Sequence, residues 1–177
     1  AFIAKPSAER TRFFLTYMLI WIVGGGVMAV FFSSAGPCYF TRLGISPDPY
    51  AALMTYLDGA NAHAPIWALG TQDMLWALKE AGSGFGGVSA MPSMHNATVL
   101  LFALMCPWQS KLVRRLLIAH AALIFIGSIH LGWHYAADAY VAWALALTLW
   151  AAMGPVARWW ESTAAASGFR LALQEAR

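Results

Sequence analysis

Charged residues drop out of this chain for long stretches, and those stretches set its architecture. From Phe13 to Ser33 the sequence FFLTYMLIWIVGGGVMAVFFS carries no charge. A helix needs about 20 such residues to cross a hydrocarbon core. Three further apolar runs follow a long mixed segment, so the predicted membrane-spanning helices are 13–33, 94–108, 112–132 and 135–156, with 34–93 as an extracytoplasmic loop. Gly24, Gly25 and Gly26 would weaken a soluble helix, but small residues let helices pack closely in lipid. Inside the loop, PDPYAALMTYLDG and TQDMLWALKEAG each read as a short helix, the second capped by Thr71 and ended by Gly82. Their Tyr, Met and Trp residues suit helices lying on a membrane surface or against the bundle. Gly82 to Gly87 reads as flexible. The expected fold class is all-α: a polytopic integral membrane helix bundle of four transmembrane helices plus short outer-loop helices, with 1–177 as a single membrane domain.

Composition agrees. The 177 residues are 60% hydrophobic and 11% charged, where a soluble domain carries about 25% charge. Nine tryptophans fit the headgroup level of a bilayer. The net charge of +3 matters less than its placement. Lys5, Arg10, Arg12, Lys111, Arg114, Arg115, Arg158, Arg170 and Arg177 fall on one side of the predicted topology, and only Arg42 and Lys79 on the other. Basic residues mark the cytoplasmic side, so the long loop faces outward. The two cysteines, Cys38 and Cys106, fall on opposite sides and are expected to remain unbridged.

Chemistry enters at the edges of the spans. In GGVSAMPSMHNATVLLFAL, Ser93 is a plausible N-cap, which puts Met94, His95 and Asn96 in the first helical turn. The unpaired N–H groups there favour an anion. Asn96-Ala97-Thr98 matches a glycosylation sequon but enters the predicted span. In GSIHLGWHYAADAYVAW, His130, His134 and Asp138 are spaced by four, so one continuous helix would place them on a single face. An ionisable residue within a span is disfavoured unless paired or facing a cavity, and His134 is the natural partner for Asp138. The topology brings His95, His130, His134 and Asp138 to one membrane depth.

Pro92-Ser93-Met94-His95 and His134-Tyr135-Ala136-Ala137-Asp138 resemble the second and third motifs, Pro-Ser-Gly-His and His-x-x-x-Asp, of the type-2 phosphatidic acid phosphatase superfamily. The chain looks closest to its inositol phosphorylceramide synthase-like branch, and SSAGPCYF resembles a stretch which that branch carries after a span. The resemblance covers about Phe13 to Trp160. It implies six spans in the whole, so two upstream helices are expected. It also implies phosphotransfer through a phosphohistidine on His134, oriented by Asp138, with His95 as general acid and base and Ser93 binding phosphate oxygens. The family's first motif, Lys-x-x-x-x-x-x-Arg-Pro, has no match. Its third-motif arginine falls at Ser128, and the glycine of its second motif at Met94. His130, Lys79 and Arg42 are then the cationic candidates for phosphate binding on the outer side. His95 and His134 should approach within about 8 Å, since both must reach the reacting group.

The implied substrate is a lipid phosphate, with membrane lipids as surroundings, no nucleic acid, no cofactor and no metal; a homo-oligomer is compatible with the sequence. The expected location is a bacterial inner membrane with the site facing the periplasm. Two other readings remain open on the residues alone. The histidines and Asp138 could ligate zinc or iron, although Gly132 and the lack of a further carboxylate argue against it. Alternatively, a non-catalytic membrane subunit could keep the scaffold for interaction.

Overall fold

The structure is a computed structural model that describes residues 7–82, 89–105, 111–163 and 167–168. Gly82 begins the glycine-rich run, but its continuation through 83–87 lies outside the described residues, as does Cys106. The described residues form six principal helices: α1 (Ala8–Phe31), α2 (Ala51–His63), α3 (Trp67–Glu80), α4 (Met94–Leu104), α5 (Lys111–His130) and α6 (Ala136–Glu161). They contain no strand, only an isolated pairing of Ala35 with Ser89.

Three of these helices, α1, α5 and α6, are long and apolar enough to cross a membrane. The chain is thus all-helical and compatible with an integral membrane protein. The fourth predicted span, 94–108, is described only as far as residue 105. Helix α4 is 11 residues long, about 16 Å at 1.5 Å per residue, against a hydrocarbon core of about 30 Å. It lies between α5 and α6, with Ala97, Val99 and Leu101 buried. Its described apolar residues pack inside the bundle.

Helix α1 runs antiparallel along α6. Its first half joins α4 and α6 in one core of Phe13, Ile20, Ala97, Leu101, Met105, Ala142 and Ala146. The α6 face of that core is a row of small residues, Ala139, Ala142, Ala146, Gly154 and Ala157, which lets the neighbouring backbones close in. Helix α6 runs through Gly154 and Pro155 to Glu161. Pro155 removes one backbone donor. Nearby, Arg12 steadies the helix: its Nε donates to the Trp150 carbonyl at 2.8 Å and its guanidinium lies 4.0 Å from the Trp150 ring centre.

Midway along α1, Ile20–Met28 widens into a π-helix. It includes the three consecutive glycines and packs beside the start of α4. A Cβ on Gly24 would lie 2.9 Å from Leu145 Cδ2 and 3.0 Å from Met94 Sδ.

Residues 34–82 cover the end of the bundle where α4 and α6 begin. Helices α2 and α3 form there as the sequence predicts, with shifted boundaries. Helix α3 starts at Trp67, so Thr71 is inside it, its hydroxyl donating to the Trp67 carbonyl at 3.0 Å. Gly82 does end it, with φ at 69° and its N–H donating to the Lys79 carbonyl. The cover is held by Tyr39, which is 1% exposed, stacks on Trp76 at 5.2 Å and donates from its hydroxyl to the Gln72 carbonyl at 3.2 Å.

Candidate functional site

Helix α4 starts where the sequence predicts. Ser93 is extended and its Oγ accepts the Asn96 N–H at 3.5 Å, a long cap bond. His95 thus sits in the first turn, exposed at the end of the bundle. The Met94 and His95 N–H groups belong to the turn that has no internal acceptors.

The second histidine arrives differently. Helix α5 stops at His130, and the chain makes a turn before α6. The Ser128 carbonyl closes that turn by accepting the N–H groups of Trp133 at 3.0 Å and His134 at 3.1 Å. Gly132 takes φ of 71°, a left-handed conformation that suits glycine. Tyr135 and Asp138 then start α6 reciprocally: Tyr135 N–H donates to Asp138 Oδ2 at 2.8 Å, and Asp138 N–H donates to the Tyr135 carbonyl at 3.1 Å. This break means that His130 and His134 are not on one continuous helix, and their spacing of four does not give a shared face. His130 is exposed and stands edge-on to Tyr56 at 6.0 Å.

His95 and His134 do come together. Their ring centres are 6.5 Å apart and their planes are inclined by 58°. Behind His134, Asp138 Oδ2 stands 3.5 Å from Nδ1, longer than a formed hydrogen bond. Asp138 is 0% exposed. A carboxylate so buried needs compensating partners, and the Tyr135 N–H supplies one hydrogen bond to Oδ2, with the imidazole nearby but not hydrogen-bonded to it. The other oxygen, Oδ1, is buried without a partner, as is His134 Nδ1.

The predicted phosphate-binding residues separate into two groups. Ser93 is at the site but fully buried, and its Oγ accepts from Asn96, so it supports His95 from behind. Arg42 and Lys79 are in the cover. Arg42 pairs with Asp73 and lies 5.8 Å from the Trp76 ring centre. Lys79 Nζ is 4.2 Å from the same ring. Among the described residues, these two cations engage Asp73 and Trp76 and not the two histidines.

Four residues at the site escaped the sequence reading. Asn96, 0% exposed, donates from Nδ2 to Ser93 Oγ at 3.0 Å and to Ser128 Oγ at 3.3 Å. Its burial also removes the sequon from the surface. The available signal was an amide three residues after an N-cap serine. Gln72 donates from Nε2 to the Leu131 carbonyl at 2.8 Å and so ties α3 to the turn before His134; a polar residue on the apolar face of α3 was its trace. Gly36, within SSAGPCYF, packs so closely that a Cβ would fall 2.2 Å from the Trp133 carbonyl oxygen. Beside it, Cys38 N–H donates to the Gly132 carbonyl at 2.9 Å. Ser128 stands where the third-motif arginine would fall, and its carbonyl shapes the turn.

Cys38 is a buried free thiol. Burial pushes its pKa up to about 12, which suits a packing residue and not a nucleophile. Among the described residues, no three His, Cys, Asp or Glu side chains gather closely enough to hold a metal ion.

A model of the PAP2 superfamily matches residues 1–152, which include both histidines and Asp138. No curated protein and no solved structure matches the chain.

Proposed function

The chain belongs to the PAP2 superfamily, and from that premise we propose that it moves a phosphoryl group from a lipid phosphate through a phosphohistidine on His134. Superfamily membership supports phosphatase activity on lipid phosphates. The finer reading is carried by one observation: two imidazoles facing each other at 6.5 Å, with a buried carboxylate behind one of them.

Asp138 approaches Nδ1 of His134 and thereby leaves Nε2 as the attacking nitrogen. In the first step Nε2 forms a bond to phosphorus and the bond from phosphorus to the lipid oxygen breaks. His95, as the imidazolium, gives its proton to that leaving oxygen. In the second step an incoming hydroxyl oxygen attacks phosphorus, the N–P bond breaks, and His95 takes the hydroxyl proton. Water as acceptor makes the enzyme a phosphatase. An alcohol makes it a transferase, the inositol phosphorylceramide synthase-like reading. First-turn N–H groups of α4 offer neutral donors to the phosphate oxygens. The positions of the basic residues support an active site on the periplasmic face of a bacterial inner membrane: Arg10, Arg12, Arg114, Arg115 and Arg158 lie toward the opposite end of the helices.

The test is covalent labelling. Purified protein is given lipid phosphate carrying ³²P, quenched in alkaline detergent, and the protein-bound label is challenged with acid. Wild type should hold acid-labile label, and His134→Ala should hold none and lose turnover. An unlabelled wild type together with a His134→Ala variant of normal turnover would sink the proposal.

A further inference from the structure

We infer that Asn96 is a positioning residue whose side-chain amide sets the separation of His95 and His134. The inference rests on the catalytic reading of those histidines. The path is short. Asn96 follows His95 directly in the chain, so where its side chain is anchored, the His95 backbone is anchored. Its Nδ2 reaches Ser93 Oγ at 3.0 Å on its own helix and Ser128 Oγ at 3.3 Å near the end of α5. The same Ser128 takes the His134 N–H on its carbonyl at 3.1 Å. One amide group and one serine thus connect the backbones that carry the two imidazoles.

The hydrogen-bond directions are fixed by their neighbours. Ser128 Oγ donates its proton to the Phe125 carbonyl at 2.9 Å. It therefore meets Asn96 as an acceptor, and Nδ2, not Oδ1, must face it. Ser93 Oγ accepts both the Asn96 backbone N–H and Nδ2. Asn96 and Ser93 are each 0% exposed, so water cannot take the place of a deleted partner, and the hydroxyl groups would shift to find new ones. A second strut, Ser93 N–H donating to the Asp138 carbonyl at 3.2 Å, ties the start of α4 to α6 but not to the turn carrying the His134 N–H. The Asn96 link crosses from α4 to α5. Ser128 occupies the place of the resembled pattern's arginine, so here a neutral tie between helices stands where a cation would otherwise reach for phosphate.

The experiment is a double-mutant cycle on the full chain in detergent, with Asn96→Ala, Ser128→Ala and both together, and His134→Ala as the reference. Phosphatidic acid and a polyprenyl phosphate are the probes. Each single variant should lose about 10- to 100-fold in kcat, the scale of a misplacement near 1 Å, with KM changed less than about twofold. Both together should lose no more than one alone, because they cut the same link. A merely structural role would lower the melting temperature while leaving kcat per folded molecule intact, and that result overturns the inference. So would losses that multiply in the double variant. Should Asn96→Ala fail to fold, Ser128→Ala cuts the link from its other end and decides the matter by its kcat. Full turnover by His134→Ala, or no turnover of either probe by wild type, would overturn the catalytic reading first.

Discussion

The floor of the site, residues 93–96 and 128–138, and the cover above it, residues 35–82, treat polar groups in opposite ways. The cover holds the full charges, and they are already engaged: Arg42 on Asp73, and both Arg42 and Lys79 on the Trp76 ring. The floor holds neutral or singly ionisable groups that are buried yet incompletely paired, such as His134 Nδ1 and Asp138 Oδ1. A buried polar atom without a partner costs on the order of 1–3 kcal/mol. Such atoms persist where structure serves something other than stability. Charge count alone would point to the cover for phosphate chemistry, whereas the proposed mechanism uses the floor, where the hydrogen bonds are incomplete.

The largest expected effect that would sharpen this contrast is at His95. His95→Ala should cut kcat by about 10²–10⁴-fold. Because His95 is exposed, the melting temperature should hardly move. Steady-state kinetics beside a thermal melt checks both, and a melt that collapses with activity would make His95 a packing residue. Next is Gly36→Ala, where the new Cβ meets backbone at 2.2 Å and must lift the cover off the turn before His134. A kcat loss of about 10²-fold is expected, the scale of a 1 Å misplacement. Gly59→Ala, with nothing within 4 Å, is the matched control and should keep full activity. The smallest effects belong to Arg42→Ala and Lys79→Ala, which should each change kcat/KM by less than about fivefold. The partly exposed pair of Arg42 with Asp73 should contribute about 0–1 kcal/mol to stability. A hundredfold loss from either would break the contrast and return phosphate binding to the cover.

Much of the architecture was legible in the sequence because lipid imposes coarse rules. The uncharged runs gave α1, α5 and α6, and an N-cap serine gave the start of α4. Within the site, His95, His134 and Asp138 were legible because a titratable side chain at a membrane edge stands out against its surroundings. His130 shared their spacing, but the break at Gly132 removed it from their face, and a turn closed by a backbone carbonyl leaves little mark in side-chain pattern. Asn96 and Ser128 were hidden for a related reason. Each is an ordinary polar residue until folding brings it against the other across 32 positions of chain. Gly36 was legible only as part of a turn, because what it provides is the absence of a side chain.

The widened stretch Ile20–Met28 has a consequence of another kind. In a regular α-helix, deleting one residue rotates all that follows by about 100°. A π stretch already stores surplus chain, so it can absorb a one-residue deletion by tightening to ordinary geometry, and Ala29–Phe31 would keep its heading. Helix α6, whose row of small residues continues to Ala157, has no such reserve. Changes in chain length should therefore accumulate across related sequences in the first span and be excluded from the last.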